Sequence, residues 1–107
     1  MKNENITLSD IIKAIKKQVE ERGGLWSKET IFKQFIAESG ELADALMDFD
    51  GEKPVKKGKA PTNIGHEAAD VVYALICLCM KYEIDFEKAL IEKIGINQER
   101  DKDRFEK

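Results

Sequence analysis

The segment AADVVYALICLCM, Ala68 to Met80, is the longest apolar run in the chain, and only Asp70 interrupts it. At about 1.5 Å per residue it is too short to cross a hydrocarbon layer of about 30 Å. Wound as a helix at about 100° per residue, Val71, Val72, Ala74, Leu75, Ile76, Leu78 and Met80 point in most directions. Such a helix has to be covered nearly all round, either as the centre of a bundle or between subunits. In a chain of 107 residues, folding hides about two-thirds of the extended surface, which is enough for one core but marginal for a monomer. A single domain over residues 1–107 that self-associates is the expectation.

Three further segments carry helical periodicity, and none shows the alternation of a strand, so the class is all-α. The first runs from about Leu8 to Arg22, with Leu8, Ile11, Ile12, Ile15 and Val19 on one stripe. Thr7 and Asp10 are spaced as a capping box, and Gly23-Gly24 is the stop. The second runs from about Lys28 to Asp48 behind a Ser27 cap, with Ile31, Phe35, Leu42, Leu46 and Phe49 on its stripe and Phe32 alongside. The apolar third helix starts behind Thr62 or Asn63. The fourth begins at the cap Asp85, with Phe86, Ala89, Leu90 and Ile94 as its packing side, and projects or frays beyond Gln98. Gly95 weakens its middle by about 1 kcal/mol relative to Ala.

Between the second and third helices, GEKPVKKGKAPTNIG, Gly51 to Gly65, holds both prolines and four lysines, Lys53, Lys56, Lys57 and Lys59. It reads as a long loop, a solvated connection first and a lid over phosphates second. The formal charge of −3 argues against general nucleic-acid binding, which needs a cationic surface. The N-terminus MKNENITLSD has no apolar stretch of the signal-peptide kind, so neither a membrane role nor export is indicated and a cytoplasmic address is expected. Cys77 and Cys79 sit two apart on one helix, pointing to different sides, and read as reduced, buried thiols.

The chemistry is concentrated in two acidic pairs, Glu38-x-x-Glu41 and Glu67-x-x-Asp70. An i,i+3 spacing stacks two carboxylates on one helix face. Both pairs border apolar stripes when solvent was available elsewhere, which is unfavourable unless a cation joins them. If the two helices are antiparallel neighbours, four oxygen donors converge, and an all-oxygen set selects a hard divalent ion such as Mg2+, with Mn2+ as a substitute. A di-iron carboxylate bundle needs two Glu-x-x-His motifs. The single histidine, His66, directly precedes Glu67 and cannot supply them, so it is expected at the surface or supporting a ligand. On the fourth helix, Lys93, Asn97 and Arg100 at i, i+4 and i+7 form one polar stripe suited to a polyphosphate.

FKQFIAESGELADAL, HEAADVVYALICL and KIGINQER together resemble the MazG-like, all-α nucleoside triphosphate pyrophosphohydrolases over roughly residues 25 to 104. The composite is far more specific than either acidic pair alone. It implies a bundle of four to five helices assembled from two subunits, as a homodimer or homotetramer. Glu38, Glu41, Glu67 and Asp70 match the metal-binding acids, and Lys93, Asn97 and Arg100 match the downstream substrate-binding set. Ala37 stands where many members carry a further Glu, which puts an accessory metal contact in doubt. The implied activity converts a nucleoside or deoxynucleoside triphosphate to monophosphate and pyrophosphate by water attack at the α-phosphorus. A cation would neutralise phosphate oxygens, and Glu38 or Glu41 would take the water's proton. Phosphoribosyl-ATP pyrophosphohydrolysis uses the same acids, and a non-catalytic helical nucleotide-binding or interaction module is the alternative of another class. Trp26 can stack on a nucleobase or pack on the second helix.

Overall fold

Each helix starts where side-chain chemistry satisfies its first free N–H groups. In the computed structural model, which describes residues 5–51 and 62–104, α1 spans Leu8–Glu21, α2 Lys28–Asp50, α3 Ile64–Lys81 and α4 Phe86–Asp101. Thr7 Oγ1 accepts from the Asp10 amide at 3.1 Å while Asp10 Oδ2 accepts from the Thr7 amide at 3.0 Å, closing the expected capping box. The Thr7 amide also holds the Asp10 carboxyl below its ordinary range. Ser27, Asn63 and Asp85 cap α2, α3 and α4 by accepting from the amides of Thr30, His66 and Lys88.

Gly23 and Gly24, both at positive φ, end α1, and the Gly24 amide returns to the Val19 carbonyl at 2.8 Å. This tight reversal sets Leu25 and Trp26 at the mouth of the α2–α3 groove. Gly51, at φ 72°, ends α2 in the left-handed conformation that glycine adopts without a Cβ penalty. The second helix thus extends two residues past Asp48, and the third begins at Ile64, so Gly65 belongs to its first turn rather than to the loop. The fourth keeps regular helical form to Asp101. Lys53, Lys56, Lys57 and Lys59 lie outside the described residues.

The main pairing is α2 against α3, and α1 lies on α3. Their shared core is Ile15, Val19, Ile31, Ile76 and Cys77, edged by Ile12, Leu25, Tyr73, Leu78, Met80 and Phe86. The apolar third helix is central, as expected. Cys77 is buried and Cys79 half-buried, both as free thiols. Ile76 is 1% exposed, so Ile76→Ala should destabilise the fold by about 2–5 kcal/mol, read as a lower midpoint in urea unfolding.

The outer stripes behave differently. Phe32, Leu46 and Phe49 on α2 are exposed, Phe49 by 77%, and on α4 Leu90, Ile91, Ile94 and Ile96 are exposed as well. The fourth helix is anchored by Phe86 but has no more than marginal contact with the others, so the packing side read from Ala89, Leu90 and Ile94 has nothing to pack on within the described chain. The Cα radius of gyration, 17.3 Å, exceeds the ~13 Å of a compact domain of this length. Among the described residues no helix is long and apolar enough to cross a membrane.

Candidate active site

Because α2 and α3 pair side by side, their acidic positions meet. Glu38, in the middle of α2, and Glu67 and Asp70, in the first turns of α3, each bring one carboxylate oxygen within 4.8 Å of the other two. Glu38 and Glu67 are half-buried and Asp70 is exposed. Glu41 is exposed and stands beside Glu38, outside that group of three. Burial pushes the Glu38 carboxyl up from its ordinary value; Glu41 and then Asp70 add to the rise, and the Gln34 amide acts against it.

The donor set fits a hard divalent cation. Gln34 Nε2 donates to Glu38 Oε1, whereas Glu38 Oε2 and Glu67 Oε2 are buried without any hydrogen-bond partner. A buried carboxylate oxygen with no donor is costly. A cation drawn to all three acids satisfies those oxygens at once, and oxygen-only ligation is that of Mg2+, Mn2+ or Ca2+. His66 is exposed and brings no ring nitrogen into the group.

From the acids, an open pocket of about 120 Å³ leads along the α2–α3 groove. Glu38 and Asp70 line one end, and Gln34, Tyr73 and Ala74 follow. At the far end lie Ile31, Cys77, Leu25, Trp26 and Arg22. Trp26, 51% exposed, is therefore a wall of the pocket rather than core. The Arg22 guanidinium carbon sits 5.5 Å from the centre of the Trp26 ring and 5.6 Å from that of Tyr73. Tyr73 in turn donates its hydroxyl to Gln18 Oε1 at 3.0 Å. Burial pushes the Cys77 thiol up, with Arg22 opposing, so it is not poised as a nucleophile. Arg22, Gln34 and Tyr73 carry no sequence pattern that singles them out. Gln34 alone could have been found, one helical turn before Glu38 on the same face.

Lys93, Asn97 and Arg100 follow one another on α4, but none lines this pocket. Arg100 makes a two-pronged pair with Asp101, Nε and Nη2 each at 2.8 Å, and Arg104 joins the same carboxylate at 3.2 Å. Asn97 Oδ1 is buried with no partner. The downstream triad is thus present on one helix but apart from the acids and pocket of the same chain.

Known proteins share this arrangement of helices. A crystal structure of Bacillus subtilis YpjD superposes with a TM-score of 0.74 at 26% identity, covering 86% of this chain and 95% of that one. The Bacillus-conserved MazG protein, a nucleotide pyrophosphohydrolase, gives a TM-score of 0.68 at 25% identity, covering 89% and 90%. In sequence, YpjD of Bacillus subtilis strain 168 is 29% identical over 100 residues, 92% of this chain and 90% of the relative. The model of the MazG nucleotide pyrophosphohydrolase domain matches residues 26–105, which takes in every acid of the cluster and the α4 stripe. The chain belongs to the MazG nucleotide pyrophosphohydrolase family and has its all-α fold.

Proposed function

We propose that this protein is a Mg2+-dependent hydrolase of nucleoside or deoxynucleoside triphosphates, releasing the monophosphate and pyrophosphate. The observation that carries the reading is the three converging carboxylates, two of them with an orphaned oxygen, opening onto a pocket with an aromatic wall. Glu38, Glu67 and Asp70 hold the cation, with Glu41 at the border of the site. When bound, the cation neutralises phosphate oxygens and makes water a stronger nucleophile at neutral pH. Glu41, exposed and next to Glu38, and Glu38 itself are the groups placed to accept the proton of a water that attacks the α-phosphorus; the pyrophosphate then leaves. Trp26 offers a face to the base.

The phosphate-binding stripe reaches the acids through self-association. On α4, Leu90 and Ile94 lie within about 60° of the Asn97 position at about 100° per residue, so the exposed apolar face and the Lys93, Asn97, Arg100 stripe share an edge. A second copy that covers this face carries the stripe to its neighbour's acids. A homodimer, or a homotetramer built from it, also covers Phe32 and Phe49. Pure protein incubated with a panel of triphosphates, phosphoribosyl-ATP included, and Mg2+ should release pyrophosphate and monophosphate. Release of orthophosphate without pyrophosphate, or nucleotide binding with no turnover of any member, overturns the reading, the latter in favour of a binding module.

A further inference from the structure

The Glu38 carboxylate is set among anions. Glu67 and Asp70 each bring an oxygen within 4.8 Å of it from α3, and Glu41 stands beside it on α2. Glu41 and Asp70 act against its charge, and the Gln34 amide favours it. Like charges at this range repel, so in the ion-free protein a flexible, half-buried glutamate gains by swinging out of the groove into solvent. Gln34 opposes that escape. Half-buried one turn earlier on the same helix face, it donates Nε2 to Glu38 Oε1. Chemistry fixes the orientation of that amide, because a carboxylate only accepts and must meet the NH2 end. With Oε1 held, Glu38 Oε2 stays buried without a partner, as Glu67 Oε2 does. The donor is also uncharged. A lysine or arginine at position 34 would neutralise the acids and repel a divalent ion, whereas an amide steers the carboxylate without competing for its charge.

We infer that Gln34 is a positioning residue: its amide holds the Glu38 carboxylate inside the acidic cluster before any cation binds, so that a divalent ion meets ligands already assembled. Groups that orient a metal ligand from outside the coordination sphere set its affinity for the ion by about 10- to 100-fold. The effect of Gln34 runs through Glu38 alone. This inference rests on the acidic cluster being the divalent-ion site of the hydrolase.

The test measures Mn2+ binding, from the electron paramagnetic resonance signal of the free ion, alongside the Mg2+ dependence of triphosphate turnover. Gln34→Met keeps the length and packing without a donor, and Gln34→Asn keeps an amide one methylene too short to reach Glu38; circular dichroism checks the fold of each. Both should weaken Mn2+ binding by roughly 10- to 100-fold. Turnover should fall at low Mg2+ and largely recover at saturating Mg2+, with KM for the nucleotide unchanged there. Combined with Glu38→Asp, whose carboxylate is itself drawn back from position 34, Gln34→Met should add almost nothing. Wild-type Mn2+ binding in either variant overturns the inference and leaves the hydrolase reading standing. So does a loss that adds in full to that of Glu38→Asp, or one of turnover that saturating Mg2+ does not restore. Gln34-dependent Mn2+ binding without turnover of any triphosphate supports the inference and overturns the hydrolase reading. No Mn2+ binding by the wild type overturns both.

Discussion

Glu38→Gln is expected to lower kcat/KM by roughly 10³-fold, since loss of a cation's transition-state stabilisation is worth several kcal/mol, and yet to make the ion-free protein more resistant to heat. Both effects have one origin. Glu38 is raised by burial and by the neighbouring Glu41 and Asp70, so its ionised form is held against its own preference. The sign follows from linkage. Between the ordinary carboxyl value and the raised folded one, the native state binds more protons than the unfolded chain, so the stability of the ion-free protein falls as pH rises through that window. Below the window the penalty is absent, and above it the penalty is complete. Melting curves in chelator should therefore decline from acid toward neutral pH in the wild type, with a smaller decline in Glu38→Gln. Added Mg2+ should raise the wild-type midpoint at pH 8, by about 2.7 kcal/mol of stability at a hundredfold excess over Kd. It should do little at pH 5 or in the variant. A variant that melts below the wild type in chelator at pH 8 would mean that the carboxylate makes a stabilising contact of its own.

The second large effect belongs to α4. Ile91→Asp combined with Ile94→Asp should convert an oligomer into a species near 12.2 kDa by light scattering, and should abolish turnover with it. These side chains are 64% and 59% exposed in one chain. Burying each contributes about 1.5–3 kcal/mol, and a symmetric interface counts every substitution twice. Burying a carboxylate instead is prohibitive without a partner. If the doubly substituted protein keeps its assembly, α4 is not the contact. If it is monomeric and fully active, Lys93, Asn97 and Arg100 do not act across subunits.

Local chemistry was the most legible part of the fold. Thr7, Ser27, Asn63 and Asp85 all cap helices where the sequence places caps, because a cap depends on a residue and an amide a few positions away. The acids were legible for a related reason. Their i,i+3 spacing fixes one face on each helix, and Glu38, Glu67 and Asp70 do meet. What the sequence does not encode at that range is the register of α2 against α3. That register decides that Gln34, Tyr73 and Arg22 share a pocket with Trp26. The apolar periodicity of α4 marked a packing side correctly as apolar. Periodicity says that a face wants cover, not that the same chain provides it.

Gln34 has a further effect through the bond it makes to Glu38. By occupying one lone pair of Oε1, it leaves Oε2 as the oxygen of that carboxylate with no partner. A cation held there would meet Glu38 most readily through that one atom. Ca2+ takes six to eight oxygens, often with two from one carboxylate, whereas Mg2+ keeps an octahedron of about six single contacts, several of them water. An uncharged amide one turn away from the acids would thus lean the site toward the smaller ion, which asks for fewer oxygens.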